Sequence, residues 1–474
     1  MACEFTLKQL VEATQGQIFS GVEKTFIGVG TDTRQSLDKQ IFVALKGDSF
    51  DAHDFLRQAF LAGAKCLVIH RETPELAELK DKVSILIVKD TLKALQDMAR
   101  YWRRKISAKV FGITGSNGKT TTKEFTAAIL SSQFKVHYSK GSYNNHWGVP
   151  LTLLGASKFT EAVIVEMGMN HAGELTQLSK IAEPDVVLCT TVGRAHIGNF
   201  EGGIQGIADA KEEIYLANPK AIKIFNGDNE YTLKMFERVS KLAGLEKTMV
   251  FSTYRAGSEV SLRANIMTLD ELQIVGHIAG VKGDARVKVF GRHNVVNLMA
   301  AACQALVMKM EPELIWASFS RCEAQWGRNQ LVRLENGPTV LFDAYNANPD
   351  SMSAMIKNLL ELNIPSGARK IAVVGEMLEL GPDAEKFHEE IGQMMGQSDF
   401  NIVWFIGASS IAFRRGFEKY GDGKTLYVSN TYEESLALNL RSMLNPHDVV
   451  VMKGSRGAKL EKVMRTWSPQ FATY

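Results

Sequence analysis

An α/β protein of three domains is what the sequence predicts, on three observations. Short apolar runs alternate with amphipathic stretches along almost the whole chain, the pattern of strands joined by helices in largely parallel sheets. At 474 residues the chain exceeds one ordinary core, and domains of roughly 100–200 residues put two to four within it. A strand, glycine loop and helix motif opens only at Gly112, so a smaller unit precedes it. The expected domains are a small α/β unit over 1–105, a central phosphate-loop unit over 106–311 and a Rossmann-like unit over 312–474.

In the first unit TFIGVGTDTR and QIFVALKG read as strands, as do KCLVIH and SILIVKD, and the helical TLKALQDMARYWRRKI leads out. The second opens on the strand KVFGITG. It continues through the strands EAVIVEMG and DVVLCTTV, a helix from Ile204 to Ala217 and AIKIFNGD, and closes with the helix VVNLMAAACQALVM. In the third, TVLFDAY, KIAVVGE, NIVWFIG, TLYVS and DVVVMKG are short apolar strands separated by helices such as SMSAMIKNLLEL. That order resembles a dinucleotide fold but lacks GxGxxG after its first strand, so no nicotinamide site is expected.

Composition excludes several classes. Lys plus Arg (55) nearly balances Asp plus Glu (52), so no bulk charge points to nucleic acid or to an anionic membrane. No run of about 18 apolar residues suggests a membrane span, and MACEFTLKQLVEATQG has no signal-peptide h-region. Cys3, Cys66, Cys189, Cys303 and Cys322 are odd in number and form no CxxC pair. Free thiols in a reducing cytoplasm are expected, and no zinc site.

The stretch GITGSNGKTTTKE carries the first chemistry. Gly115 and Gly118 let the backbone turn and present its N–H groups, and the helix from Lys119 aims its positive end at the same point. Lys119 adds a charge for the β- and γ-phosphates of ATP, and the Thr120 hydroxyl is placed for Mg²⁺. Five residues separate Gly112 from Gly118, where the general pattern has four. Glu166 ends the strand of EAVIVEMG at the carboxyl edge of a parallel sheet, where a carboxylate can hold Mg²⁺; a solvent-facing Glu is the alternative. His196 follows another strand end, as a ligand or a structural histidine. Lys211 falls in the middle of the apolar helical face of Ile204, Ile207, Ala208, Ile214 and Tyr215, while Asp209, Glu212 and Glu213 point elsewhere. A buried lysine is costly unless paired or chemically changed. It snorkels, forms an ion pair, or has taken up CO₂ as a metal-holding carbamate.

These residues, with YNNHWGVPLTLL, VEMGMNHAGE, GRAHIGNF, AKEEI, GRHNVVNLMAA, WGR and DAYNANPDSM, resemble the Mur ligases, which build the peptide of bacterial peptidoglycan. The match runs over essentially the whole chain. TDTRQSLDKQIFVALKGDSFDAHDF, NANPDSM and KGSRGAKLE look like the branch that joins D-alanyl-D-alanine to UDP-N-acetylmuramoyl-tripeptide. The family's loop spacing accounts for the five-residue gap. AYNANPDSM stands where the diamino-acid-adding branch has Asp-Asn-Pro-Arg/Lys.

The resemblance implies an ATP-dependent ligase working through an acyl phosphate, with Mg²⁺, two ions being expected. Gly115, Asn117, Gly118, Lys119, Thr120 and Thr121 would hold the ATP phosphates; Thr120, Glu166, His196 and a carbamylated Lys211 the metal. Asn294 and Arg328 would contact adenine and phosphate, Asp343 the ribose, and Asn346 and Asn348 would lie near the base. Asn144 and Asn145 would meet the muramoyl peptide, and Thr31, Asp32, Arg34, Gly47 and His53 its uridine diphosphate end. Ser455 and Arg456 are candidates for the dipeptide carboxylate. A monomeric, cytoplasmic enzyme is implied. The rival readings are a folylpolyglutamate synthase-like ligase, disfavoured by the long stretch before the loop, and a phosphate-loop kinase or NTPase. A non-catalytic scaffold is disfavoured by the intact Lys119, Thr120, Glu166 and His196.

Overall fold

The structure, a computed structural model, describes residues 2–139, 141–335 and 337–472. Three main sheets carry it. The first has five strands, in the order Gln17–Ser20, Ser84–Ile87, Cys66–Ile69, Ile41–Val43, Val29–Gly30, parallel apart from the edge strand Gln17–Ser20. The run expected as one strand over 25–34 is divided. Thr25–Ile27 pairs with Glu4–Thr6 in a separate two-stranded ribbon and Val29–Gly30 joins the sheet. Gly28, at a φ of +88°, makes the bend between them, a backbone region open mainly to glycine.

The central sheet has nine strands, ordered Val281–Val287, Leu272–Ile278, Val260–Met267, Thr248–Phe251, Ile222–Asn226, Val186–Cys189, Lys109–Thr114, Ala162–Glu166, Val136–Tyr138. From Thr248–Phe251 to Val136–Tyr138 every pairing is parallel. The strands here are near-continuous apolar runs because helices cover both faces. The last three strands, Val260–Met267, Leu272–Ile278 and Val281–Val287, form an antiparallel meander. The sequence reading contained no such meander.

The third sheet runs Gln330–Arg333, Thr339–Asp343, Val449–Lys453, Lys370–Gly375, Phe400–Ile406, Thr425–Ser429, parallel except for its first strand. The expected boundary at 312 does not match the packing. Ile315, Trp316, Phe319 and Cys322 are buried in the core of the central sheet, together with Phe111, Phe125 and Leu298. The helix Pro312–Ser318 therefore belongs with the central unit. All five cysteines are buried free thiols, as their scatter suggested.

Among the described residues, no helix is long and apolar enough to cross a membrane.

Candidate active site

Topology places the glycine loop at a switch point. The strand Lys109–Thr114 lies between Ala162–Glu166 and Val186–Cys189, and the crevice beyond the carboxyl ends of such strands is where open α/β sheets bind ligands. Two glycines are required by geometry. Gly115 has a φ of +145° and an added Cβ would stand 1.9 Å from Thr190 Oγ1; Gly118, at +83°, would meet Asn297 Oδ1 at 2.3 Å. The loop is pinned to the next strand end. Ser116 N donates to Thr191 O at 2.8 Å, and the Thr190 hydroxyl donates to Asn117 O at 2.5 Å.

The helix Lys119–Leu130 starts at this loop. Lys119 is half-buried and its ammonium donates to Gly115 O at 2.8 Å. Burial holds its pKa below the ordinary lysine value, against the pull of Glu166. Thr121 follows on the first turn. The Thr120 hydroxyl donates to Glu166 Oε2 at 2.8 Å, and Asn144 Nδ2 donates to Oε1 at 2.8 Å. Glu166 is 1% exposed, so the solvent-facing alternative is excluded. Asn145 turns its Oδ1 to the N–H of Gly148 at 2.9 Å.

Lys211 is 2% exposed, as the helical face required, and the helix runs Gly203–Leu216. No hydrogen bond or ion pair to it is found among the described residues. Burial first, and then the charge of Lys119, push its pKa down to about 7, with Cys189 opposing. The ion-pair and snorkelling alternatives therefore fail. Its neighbours do differ from expectation. Glu212 is nearly buried and pairs with Arg238 at 2.8 Å, and Glu213 accepts from Gly173 N and Thr176 N at the head of another helix.

The expected metal set is only partly assembled. Thr120 and Glu166 bring two hard oxygen donors together, the type Mg²⁺ takes. His196, at a φ of +61°, turns Nδ1 to Glu379 instead. Among the described residues, no three of His, Cys, Asp and Glu converge as a metal cluster.

The third sheet supplies the other wall. A cavity of about 370 Å³ opens between Asn117, Thr191 and Gly193 on one side and Asp343, Asp350 and Lys453 on the other, with His293 and Asn329 also lining it. Asp343 accepts from Lys453 Nζ at 2.5 Å. Asn346 lies beside it, its main-chain oxygen 3.3 Å from the same ammonium. His293 is pushed down to about 4 by burial. Asn358 Nδ2 lies 3.2 Å from its Nδ1 and Asn329 Nδ2 3.2 Å from its Nε2, and a neutral ring accepts from one of these two amides. Arg328 stacks over Tyr345 at 4.3 Å and reaches Ser142 at 3.4 Å.

Several residues expected at ligand contacts are engaged within the protein. Asn348 is the N-cap of the helix Pro349–Leu360, and its amide exchanges hydrogen bonds with Asn117 at 2.8 and 3.4 Å. It joins the two walls. Asn294 is 4% exposed and donates to Phe290 O, a helix-turn contact. The Ser455 hydroxyl accepts from Leu378 N at 3.1 Å and lies 3.3 Å from Ala347 O, which makes it a brace. Arg456 stacks over Trp326 at 4.6 Å. His53 is buried, with Nδ1 2.6 Å from Asp51 and Nε2 accepting from His70 N at 3.0 Å. Both ring nitrogens are thus taken up within the protein. Thr31 stays on the surface beside Asp32 and Arg34, which form a two-pronged pair at 2.8 Å.

The sequence reading missed the residues that fasten the walls together. Arg194 N and Nε donate to Asp350 at 2.6 and 2.8 Å, and the guanidinium packs over Phe387 at 5.4 Å. Gly198 N donates to Glu379 O at 3.2 Å. Gly198 and Gly381 meet main chain to main chain, since a Cβ on Gly198 would stand 2.3 Å from Gly381 N.

With this geometry in place, likeness to known proteins becomes informative. The UDP-N-acetylmuramoyl-tripeptide–D-alanyl-D-alanine ligase of Bacillus subtilis (strain 168) is 33% identical over 463 residues, 97% of each chain. The chain belongs to the Mur ligase family. Family models match this Mur ligase over residues 25–103 (Mur ligase family, catalytic domain), 113–305 (Mur ligase middle domain) and 327–456 (Mur ligase, glutamate ligase domain). The structure of MurF from Acinetobacter baumannii superposes with a TM-score of 0.86 at 29% identity, covering 99% of this Mur ligase and 100% of that chain. MurF ligase from Thermotoga maritima in complex with ADP gives 0.77 at 26% identity, with 94% and 97% covered.

Proposed function

We propose that the protein is the ATP-dependent ligase that joins UDP-N-acetylmuramoyl-tripeptide to D-alanyl-D-alanine, making the pentapeptide precursor of peptidoglycan in the cytoplasm. The observation that carries the reading is full-length similarity to ligases of that name, combined with a phosphate loop facing a second wall across one cavity. The three sheets correspond to three roles: residues 1–105 for the UDP-muramoyl peptide, 106–311 for ATP, 312–474 for closing the site and admitting the dipeptide. The helix Pro312–Ser318 packs with the central unit within that scheme.

The chemistry follows from the poor electrophilicity of a carboxylate. The tripeptide carboxylate oxygen attacks the γ-phosphorus of ATP, the bond to the ADP oxygen breaks, and an acyl phosphate forms. The amine of D-alanyl-D-alanine then attacks the acyl carbon, loses a proton, and inorganic phosphate leaves. The first step brings anion to anion. Lys119, the loop N–H groups and the positive end of the helix Lys119–Leu130 lower that repulsion. Thr120 and Glu166 would hold Mg²⁺, which supplies further charge neutralisation. Asp343, Asn329 and His293 form a polar floor suited to ribose and base. The seam of Asn117–Asn348 and Arg194–Asp350 keeps water from the acyl phosphate.

Lys211 carries the finer part of the proposal. An ε-amine with its pKa near 7 is substantially neutral at physiological pH, the form that adds to CO₂. Its carbamate would be an anion beside Lys119 and would complement the metal set.

The test is phosphate release from ATP with UDP-N-acetylmuramoyl-tripeptide, with and without D-alanyl-D-alanine, and mass analysis of the product. Pentapeptide formation that needs both is expected. Turnover with a free amino acid in place of the dipeptide would overturn the assignment. Transfer of ¹⁸O from the tripeptide carboxylate into phosphate checks the acyl phosphate.

A further inference from the structure

One charged side chain beside the phosphate loop has no part in that chemistry. Lys123 is 0% exposed, one helical turn beyond Lys119 on the helix Lys119–Leu130. Its ammonium donates to Ser139 O at 2.7 Å and Gly141 O at 2.5 Å. It lies 3.3 Å from Glu124 Oε1 and 4.0 Å from Glu166 Oε2, with the Tyr138 ring centroid at 5.9 Å. Its two strong hydrogen bonds thus go to main-chain carbonyls of the loop that follows the strand Val136–Tyr138, and both nearby charges are carboxylates.

That loop carries Ser142 and Asn144. Ser142 Oγ lies 3.3 Å from the Thr120 hydroxyl and accepts from Arg328 across the cavity wall at 3.4 Å. Asn144 donates to Glu166 at 2.8 Å, and its side chain lies against Gly168, where an added Cβ would stand 2.9 Å from it. The loop is otherwise lightly held on its sheet side, because Val136–Tyr138 is an edge strand of only three residues. A buried ammonium needs partners to remain charged, and here the partners are the two carbonyls that set the path of this loop. Lys123 therefore joins the ATP-binding helix, the loop bearing Asn144 and the carboxylate of Glu166 at one point.

We propose that Lys123 is a positioning residue for the ligation: its ammonium fixes the Ser142–Asn144 loop against the phosphate-loop helix, so that the muramoyl-tripeptide carboxylate is presented to ATP. This rests on the tripeptide reading above. Lys123 reaches the nucleotide side only indirectly, through Ser142 and through Glu166 at 4.0 Å, whereas it holds the loop of Asn144 by two direct hydrogen bonds, so its loss bears first on that loop and on the peptide substrate.

The test is steady-state kinetics on the full chain with Lys123→Met, Lys123→Arg, Asn144→Ala and the double variant Lys123→Met/Asn144→Ala. The expected result for Lys123→Met is a KM for UDP-N-acetylmuramoyl-tripeptide raised about tenfold or more, with the KM for ATP within about threefold of wild type. Lys123→Arg, which keeps charge and donors, is expected to fall between the two. The double variant should be no worse than the poorer single variant by more than about twofold, because both changes act through one loop. Multiplying effects, or a KM for ATP that rises in step with that of the tripeptide, would overturn the proposal. If Lys123→Met does not fold, Lys123→Arg replaces it in the same cycle with the same criterion. Failure of the unaltered protein to turn over the tripeptide would count against the functional reading instead.

Discussion

Two buried lysines flank the phosphate loop, and the regions around them are opposite in kind. On the helix Gly203–Leu216, Lys211 is buried without a hydrogen-bond or ion-pair partner among the described residues, and burial and the charge of Lys119 bring its pKa to about 7. On the helix Lys119–Leu130, Lys123 is equally enclosed but has two carbonyls and two carboxylates about its ammonium. Burial raises the pKa of its neighbour Glu124, and the charge of Lys123 opposes that shift. Burial alone therefore does not decide the state of a lysine. A partnered ammonium is part of the framework, while an unpartnered one is held at a cost.

Removing each charge separates the two cases. Lys123→Met removes the cation paired with Glu124 and leaves two loop carbonyls without their donor, and is expected to destabilise the fold by about 3–5 kcal/mol in urea melts. Lys211→Ala is expected to keep the fold and lose activity by about 100-fold or more, with partial recovery in high bicarbonate or a short carboxylic acid. Full activity of Lys211→Ala would end the carbamate idea.

Lys211→Met in CO₂-free buffer is expected to stabilise, by roughly 4 kcal/mol at neutral pH. The sign follows from linkage. The folded chain disfavours the ammonium, so the burden is absent above the ordinary value of 10.5, grows as pH falls from there, and is complete below about 7. The gain should be larger at pH 6 than at pH 9; equal gains would show that Lys211 is partnered after all. The smallest effect belongs to the seam. Asp350→Asn weakens the half-exposed pair with Arg194, and the KM for ATP should rise about three- to tenfold with the melting temperature nearly unchanged.

What the sequence revealed follows the same division. Lys211 was legible because a helix has a fixed period and a charged residue in an apolar face stands out. The glycine loop, Glu166 and the strand ends were legible because each sits at a fixed place in a strand-to-helix unit. Lys123 was not, because its partners are carbonyls of a loop whose path no periodicity encodes. Arg194 and Asp350 are polar residues on separate units, and only the docking of those units makes them a pair. The antiparallel meander over 260–287 escaped because its strands alternate buried and exposed residues at the sheet edge, unlike the continuous apolar runs around it. The capping by Asn348 and the bracing by Ser455 were not legible, because these roles use the same side chains as ligand contacts.

The meeting of Gly198 with Gly381 has a practical consequence. These two turns approach so closely that neither has room for a side chain, so the spacing of the two walls here is gauged by bare main chain. A methyl group there would act as a doorstop, holding the two walls of the nucleotide cavity apart while leaving each intact. A small molecule lodged at that point would oppose the enzyme without imitating ATP, the sugar nucleotide or the dipeptide, and by linkage a ligand that needs both walls would in turn oppose it.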